Sequence, residues 1–246
     1  MSNRDFGIRI PDMFATGFRG YRDNVVPLTL AGVATLAVFS AIQFPIDQLI
    51  DDGSIWAARF LNAVALWVAA VVAYPWFYVA LGAADGVTPS LNEAFAEPKR
   101  FAKQAVASFW FVAAVILGIQ YLRGIPALLV LVLYAFYSYV IADGGAKGGM
   151  EALGTSVRMT EGRRIGLFAV EMLFLLFVLV GALPLGFGTN PLTFVLAGLG
   201  LVITSSIALV AGGAVYRVFR DDLAEKDRKA PTPKKAPPKK KKRRNR

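Results

Sequence analysis

The fold follows from one stretch of the chain, which reads Glu151-Ala-Leu-Gly-Thr-Ser-Val-Arg-Met-Thr-Glu-Gly-Arg-Arg-Ile-Gly-Leu-Phe-Ala-Val-Glu171. Its first half is charged and amphipathic. From Ile165 the chain is apolar as far as Leu185, and only Glu171 interrupts the run. This pattern predicts a short helix in the headgroup region of a membrane, leading directly into a membrane-spanning helix.

The composition is that of a membrane protein. Hydrophobic residues make up 56% of the 246 residues, whereas soluble domains have about 45–50%. The excess lies in runs of about 20 residues, which match the thickness of a bilayer. The chain has no Cys and no His, which excludes disulfides, thiolate or imidazole metal sites, and His- or Cys-based catalysis. We predict a protein that is not an enzyme and has no cofactor; carboxylate metal sites stay open.

Apolar runs predict six membrane-spanning helices. They cover approximately residues 25–46, 55–81, 105–121, 127–142, 165–185 and 192–216. Pro75 is predicted to kink the second of them. Residues 1–10 form an N-terminal segment, residues 11–222 the membrane domain, and residues 223–246 a disordered basic tail.

The spans fall into three similar units, which begin near residues 11, 90 and 150. Each unit has a charged amphipathic helix, a span, a short turn and a returning span. In the first, Phe14, Phe18 and Tyr21 share one helix face. In the second, Ser90 and Glu93 have the spacing of a capping box. The predicted fold is therefore all-α and polytopic, an internal repeat of three transmembrane hairpins, each preceded by a cytoplasmic amphipathic helix.

The distribution of basic residues predicts the orientation. Of the 27 Lys and Arg residues, only Arg59 and Arg123 fall on one side of the predicted spans. Because loops rich in Lys and Arg stay in the cytoplasm, both termini and all three amphipathic helices are predicted to be cytoplasmic. This arrangement requires an even number of spans.

Residues 152–168 resemble the repeating signature of a bacterial six-span family, roughly Ala-Leu-x-x-Ser-(aromatic)-x-Leu-Thr-x-Gly-basic-x-x-x-Leu-Phe. Val157 replaces the aromatic residue and Met159 the Leu. Residues 14–24 and 216–220 resemble the first repeat and the closing segment. The family includes the membrane domain of some glycerophosphoryl diester phosphodiesterases and uncharacterised stand-alone relatives. The resemblance implies a multi-pass protein of the bacterial inner (plasma) membrane. It does not imply phosphodiesterase activity, because that enzyme domain is a separate barrel that uses histidine.

Glu171 is the candidate functional residue inside the membrane. It lies about six residues into the fifth span, roughly 9 Å at 1.5 Å per residue. An ionisable group at this depth is a functional candidate by default. The alternatives are a side chain that reaches back to the interface or pairs with Arg158, Arg163 or Arg164, a site of proton or ion coupling, and structural pairing in the core of the bundle.

Anionic membrane lipids are the predicted partners. The basic residues predicted to contact them are Arg19, Arg22, Lys99, Arg100, Arg158, Arg163, Arg164, Lys239, Lys240, Lys241, Lys242, Arg243 and Arg244. Residues 226–246 hold twelve Lys and Arg against one Asp, with little that could form a core. Binding of this tail to the anionic leaflet, binding to RNA or a ribosome, and a role in topology alone all stay open. A protein partner or homo-oligomer also stays open.

These observations leave three functional hypotheses. The first is a non-enzymatic membrane protein that acts on the bilayer, or on lipid or protein partners at the cytoplasmic face. The second is a small-molecule or ion transporter with Glu171 at its site. The third is a ribosome-associated insertion or assembly factor, which rests on the basic tail alone. A hydrophilic pocket reaching into the membrane would favour transport.

Overall fold

The computed structural model describes residues 8–51, 53–121, 124–188 and 190–229. Within these ranges the secondary structure is helical, without strands. The α-helices are α1 (Ile10–Asp23), α2 (Val25–Asp51), α3 (Ile55–Val72), α4 (Tyr74–Ala84), α5 (Leu91–Ala96), α6 (Pro98–Tyr121), α7 (Ile125–Leu133), α8 (Tyr137–Ala142), α9 (Gly149–Met159), α10 (Arg164–Val180) and α11 (Pro191–Lys229), and a 3-10 helix covers Leu183–Phe187. The prediction of an all-α fold is confirmed.

Among the described residues, five helical segments are long and apolar enough to cross a membrane. They are α2, the pair α3–α4 (Ile55–Ala84), α6 as far as Gln120, the pair α7–α8 (Ile125–Ala142) and α11. Large apolar side chains on their outer surfaces are exposed, such as Phe44 and Phe60, each 71% exposed. Lipid would cover such surfaces favourably. The protein is therefore a membrane protein with several apolar helices of spanning length.

Of the helical segments that correspond to the predicted spans, α10 is the shortest, and it is not one of these five. It has 17 residues, which is about 25 Å at 1.5 Å per residue and less than the roughly 30 Å of a hydrocarbon core. The helix ends at Val180, not near residue 185 as predicted. Pro184 has no N–H to donate to the carbonyl of Val180, so the chain continues as a 3-10 helix.

The second segment is interrupted at Ala73, between α3 and α4. Pro75 stands in the first turn of α4, where its missing N–H has no helical partner to lose. Within a continuous helix the same residue would break the hydrogen-bond ladder. The interruption agrees with the kink predicted at Pro75.

The fourth segment is interrupted between Leu133 and Tyr137, where the chain has neither Gly nor Pro. Ser156 of α9 supplies hydrogen bonds at this break. Its hydroxyl accepts a hydrogen bond from the backbone N–H of Phe136 (3.1 Å) and donates one to the carbonyl of Leu133 (2.9 Å). Ser156 is fully buried. The helix predicted for the headgroup region thus inserts a polar side chain into the bundle.

Glycines in α1 bring it close to α11. Met13, Gly17 and Gly20 form the buried face. A Cβ atom at Gly17 would lie 2.6 Å from the carbonyl oxygen of Ile207, and one at Gly20 would lie 2.7 Å from the side chain of Val210. Only glycine permits this approach, which is typical of helix pairs in membranes.

The aromatic face predicted for α1 packs against α10. The ring of Phe14 lies 5.5 Å from that of Phe174 and 5.2 Å from that of Phe177, centroid to centroid, both edge to face. Phe18 also contacts Phe177 in this way, at 5.9 Å. These contacts tie the first unit of the chain to the third.

The predicted capping box before α5 is half formed. The hydroxyl of Ser90 accepts a hydrogen bond from the backbone N–H of Asn92 at 3.2 Å. The carboxylate of Glu93 does not reach back; it accepts a hydrogen bond from the hydroxyl of Tyr78 at 3.3 Å. A new helix, α6, starts at Pro98 and includes the third predicted span.

α11 extends beyond the predicted start of the tail. Residues 223–229 were predicted to be disordered but are helical. Arg158 pairs with Asp227 of this extension (2.6 Å), and Arg163 pairs with Asp222, the residue just before it (2.5 Å). These ion pairs hold it against the end of α9. The N-terminal residues 1–7 and tail residues 230–246 lie outside the described part of the chain.

Candidate functional site

A cavity of about 390 Å³ lies among α4, α8, α10 and α11. Its lining residues are Ala73, Trp76, Phe77, Ala135, Phe136, Tyr139, Leu167, Val170, Glu171, Phe174, Val178, Ser205, Ala208, Leu209, Gly212 and Val215. Most of these side chains are aliphatic or aromatic. The volume lies at the small end of the range of ligand pockets, about 300–1,000 Å³.

Both interrupted segments contribute to the cavity wall. Ala73 stands at the break between α3 and α4, and Ala135 and Phe136 stand at the break between α7 and α8. Tyr139 follows one turn later, close to the end of α8. Interrupted membrane helices are tolerated where protein buries them or where they line a cavity, and both conditions are met here.

Among the described residues of the lining, Glu171 carries the carboxyl group. Its Oε2 atom is buried and has no hydrogen-bond partner within the described residues. Arg163 and Arg158, which were predicted as partners, pair instead with Asp222 and Asp227. Of the alternatives drawn from the sequence, the pairing of Glu171 with these two residues is therefore not the one seen. Because α11 supplies closer carboxylates, the two arginines are already neutralised.

Two further hydrogen-bond donors in the cavity wall are already engaged. The indole N–H of Trp76 donates to the hydroxyl of Ser206 at 3.0 Å. The hydroxyl of Tyr139 donates to the backbone carbonyl of Leu209 at 2.7 Å. Both bonds run to α11. The polar edges of these rings thus hold the wall together, and only their apolar faces are free to face the interior.

A second polar cluster closes one end of the bundle, beside the cavity. Arg217 of α11 pairs with both Asp85, which follows α4, and Asp143, which follows α8. Arg220 and the hydroxyl of Tyr216 also donate to Asp143, at 3.0 and 2.9 Å. Burial alone would raise the pKa of the Asp143 carboxyl. The hydrogen bonds from Arg217, Arg220 and Tyr216 outweigh burial, so this pKa lies below its ordinary value.

The two aspartates occupy equivalent positions in their units. Each follows the last residue of a helix and precedes a glycine with positive φ, Gly86 at 75° and Gly144 at 76°. Glycine adopts this backbone conformation without strain and ends helices for that reason. The Asp-Gly pair that follows both α4 and α8 is the signal in the sequence for this cluster, and it was not used in the prediction.

The basic residues predicted to meet lipid differ in availability. Arg100 is mostly buried and engaged, since it donates to Glu97 and to the backbone carbonyl of Ala142. Arg163 is likewise part-buried, with its guanidinium over the ring of Phe219. Their side chains are 20% and 28% exposed, and contact of these two residues with lipid stays a prediction.

The other predicted lipid contacts in the described chain are exposed. Arg22 and Arg158 have ion-pair partners in Asp23 and Asp227. Arg19, Lys99 and Arg164 are exposed. The structure gives these three side chains no partner within the part of the chain it describes. The tail residues Lys239, Lys240, Lys241, Lys242, Arg243 and Arg244 lie outside the described residues.

Carboxylates do not converge on a metal site in the part of the chain described by the structure, where no group of three or more acidic residues could hold an ion. The residues of the cavity and of the polar cluster therefore define the candidate site. Comparison of the chain with protein-family models, with curated proteins and with solved structures finds no match.

Proposed function

We propose that this protein is a non-enzymatic membrane protein that binds the acyl or alkyl chain of a lipid-like amphiphile in the cavity around Glu171. The observation that carries the proposal is the apolar lining of a cavity of about 390 Å³ inside the helical bundle. Pockets for small molecules are mostly apolar, with few polar groups that orient the ligand. A hydrocarbon chain complements such a wall, whereas a hydrated solute would lose its water without replacement.

The proposal includes the topology predicted from the sequence. α10 is the fifth of the six spans, short but directly preceded by α9, and α1, α5 and α9 are the cytoplasmic interfacial helices of three hairpin units. Glu171 then lies in the cytoplasmic half of the membrane, in line with the cluster of Asp85, Asp143 and Arg217 at the inner end. The excess of basic residues on this side supports the orientation.

Anionic lipid at the inner face is the second part of the proposal. Arg19, Lys99 and Arg164 are exposed, and each belongs to a different unit of the predicted repeat. Each basic residue near an anionic surface contributes about 1 kcal/mol. Together with the basic tail they would hold headgroups beside the cavity. The bacterial inner membrane, and membership of the six-span family that residues 152–168 resemble, belong to the same proposal.

The test uses the fluorescence of Trp76, which lines the cavity. A variant that keeps this tryptophan, with Trp56, Trp67 and Trp110 replaced by Phe, is reconstituted in bilayers with brominated acyl chains. Bromine quenches an indole that it contacts. We expect quenching of Trp76, and we expect Ser205→Leu to reduce it, because the larger side chain fills part of the cavity.

The matched control is Ile203→Phe, which enlarges a side chain on α11 that is 38% exposed and does not line the cavity. It should leave the quenching unchanged. If Ser205→Leu leaves quenching unchanged as well, the bromine reaches Trp76 from outside the bundle and the proposal fails.

Transport is the second candidate, and the unpartnered carboxyl of Glu171 favours it. Two interrupted helices also border the cavity, as in many transporters. The apolar lining argues against a pathway for hydrophilic solutes. A liposome flux of a hydrophilic cation that Glu171→Gln abolishes would make this candidate the better one. The ribosome-associated alternative rests on the tail, and salt-resistant binding of ribosomes by the full chain would support it.

A further inference from the structure

We propose that the cavity selects amphiphiles with a cationic amine head, and that the carboxylate of Glu171 is the counter-ion for this head. The inference rests on the proposed function, since it assumes that an amphiphile enters the cavity. It adds the chemical class of the head group. The ligand is a single-chain or similarly slender amphiphile whose ammonium group lies at Glu171 and whose hydrocarbon chain lies among the apolar side chains.

The carboxyl group of Glu171 has an oxygen without a hydrogen-bond partner in the described residues. Its Oε2 atom is buried within the wall and accepts no hydrogen bond within the described residues. An unpaired carboxylate in an apolar environment is costly, and a hydrogen-bonded cation is the group that offsets this cost best. The site therefore presents a carboxyl oxygen without a donor, and a cationic donor beside it would stabilise the charged form of this group.

The protein itself supplies no cation to Glu171 in the described residues. Arg158 and Arg163 are held by carboxylates of α11. The donors of Trp76 and Tyr139 are directed to Ser206 and Leu209. Arg164, which precedes Glu171 on α10, is exposed and does not line the cavity. Among the described lining residues there is no Lys or Arg, so a cationic donor has to arrive with the ligand.

The remainder of the cavity lining fits an ammonium group better than a metal ion. Besides Glu171, the free polar side chain of the lining is Ser205. Ca²⁺ and Mg²⁺ take six or more oxygen ligands and Zn²⁺ takes four ligands, whereas the described wall offers one carboxyl group and few other polar atoms. An ammonium group has three donors and is also attracted to aromatic faces within about 6 Å. Trp76, Phe77 and Phe174 bring such faces to the cavity.

The experiment compares two probes on the Trp76 protein described above, reconstituted in bilayers of neutral lipid. One is a single-chain primary amine brominated on its chain, and the other is the alcohol with the same brominated chain. Quenching is measured against the mole fraction of probe in the bilayer, which removes differences in partitioning. We expect saturable quenching by both probes. The amine should half-saturate at a mole fraction at least about tenfold lower than that of the alcohol, because a charge-assisted hydrogen bond adds to chain burial.

Three variants make the comparison specific. Glu171→Gln and Glu171→Met should reduce the preference for the amine to about twofold or less, with the alcohol unaffected. Glu161→Gln removes an exposed carboxyl outside the cavity and should keep the full preference. Two substitutions at Glu171 are used so that poor folding of one leaves the test intact.

The outcomes separate the two proposals. The counter-ion role is overturned if the protein with Glu171 intact binds amine and alcohol equally, or if the preference for the amine survives both Glu171 variants. Either result leaves binding of the hydrocarbon chain in place. Absence of saturable quenching by either probe overturns the proposed function and, with it, this inference.

Discussion

The guanidinium of Arg217 donates two hydrogen bonds to the carboxylate of Asp85, which lies 132 residues earlier in the chain. The same side chain donates a third to Asp143 at 2.5 Å. Asp85 follows α4 and Asp143 follows α8, so one residue of α11 ties together the ends of two interrupted helices. Because both helices form walls of the cavity, this cluster fixes the distance between the walls at that end.

Replacing Arg217 should destabilise the bundle. In Arg217→Gln, two partly buried carboxylates lose their main partner. Breaking a buried ion pair by removing one member costs about 3–5 kcal/mol. Since the side chains of Arg217 and Asp85 are 21% and 35% exposed, we expect a smaller loss, about 1–3 kcal/mol. Equilibrium unfolding of the purified protein in detergent measures it.

The control for this prediction is Arg9→Gln. The ion pair of Arg9 with Asp12 is 66% and 48% exposed, and exposed pairs contribute about 0–1 kcal/mol. The double variant Asp85→Asn with Arg217→Gln should lose less stability than the sum of the single losses, because the two residues interact directly. Equal losses in Arg9→Gln and Arg217→Gln would contradict a structural role of the cluster.

Stability at low pH should depend on Asp143. Its pKa in the folded protein is lowered, because the hydrogen bonds from Arg217, Arg220 and Tyr216 outweigh burial. In the unfolded chain an Asp has a pKa of about 3.9. The stabilisation is therefore complete above that value and is lost as the pH falls through the lower folded pKa. Thermal unfolding between neutral pH and pH 3 should show a steeper loss for the wild-type protein than for Asp143→Asn, and parallel curves would refute the assignment.

The sequence predicted the helices better than their interruptions. Apolar runs and charge asymmetry were sufficient to predict helices of spanning length, because both signals are local. Pro75 also marked the break before α4, since its missing N–H acts on its own helix. The break after Leu133 has no such mark: its hydrogen bonds come from Ser156, 20 residues later than Phe136. A long-range side-chain contact leaves no periodic pattern.

The cavity was equally inaccessible to pattern reasoning. Glu171 was identified, because a carboxyl in an apolar run is visible in the sequence. For its surroundings the sequence left several alternatives open, and the one that paired Glu171 with nearby arginines does not hold for Arg158 and Arg163. In the structure Asp222 holds Arg163 and Asp227 holds Arg158, from 59 and 69 residues away along the chain. The prediction considered residues that are close along the chain, whereas ion pairs form between residues that are close in space.

The number of spans can be counted by labelling. The chain has no Cys, so single cysteines at Asp51, Asn190 and Glu225 each give one reactive site. With six spans, an impermeant maleimide should label Asp51→Cys and Asn190→Cys from outside intact cells but should leave Glu225→Cys unlabelled until lysis. Should α10 fail to cross, Asn190→Cys would stay protected, and the predicted even number of spans would be wrong.

Loss of the charge at Glu171 should not weaken folding. Its Oε2 atom makes no hydrogen bond within the described residues, so Glu171→Gln removes a potential charge from an apolar wall without breaking an observed bond. We expect membrane levels like those of the wild type and an unfolding free energy that is unchanged or higher by up to about 1 kcal/mol. A marked fall in stability would mean that Glu171 has a partner essential to the fold.

Ser156 should matter far more than its neighbour Thr155. Its buried hydroxyl accepts from the N–H of Phe136 and donates to the carbonyl of Leu133. In Ser156→Ala both backbone groups lose this partner where water is scarce, and each unsatisfied group costs about 1–3 kcal/mol. Thr155→Ala is the matched control, because Thr155 is half-buried and its hydroxyl makes no hydrogen bond within the described chain.

The two variants should therefore differ in both stability and local dynamics. Ser156→Ala should lower the unfolding free energy by about 2–4 kcal/mol, whereas Thr155→Ala should change it by less than about 0.5 kcal/mol. Hydrogen exchange in detergent should become faster at Phe136 and Tyr137 in Ser156→Ala, because the break no longer has a fixed geometry. If the exchange there is unchanged, the interruption of this helix is set by the helix's own residues, and the insertion of α9 is a consequence of the break, not its support.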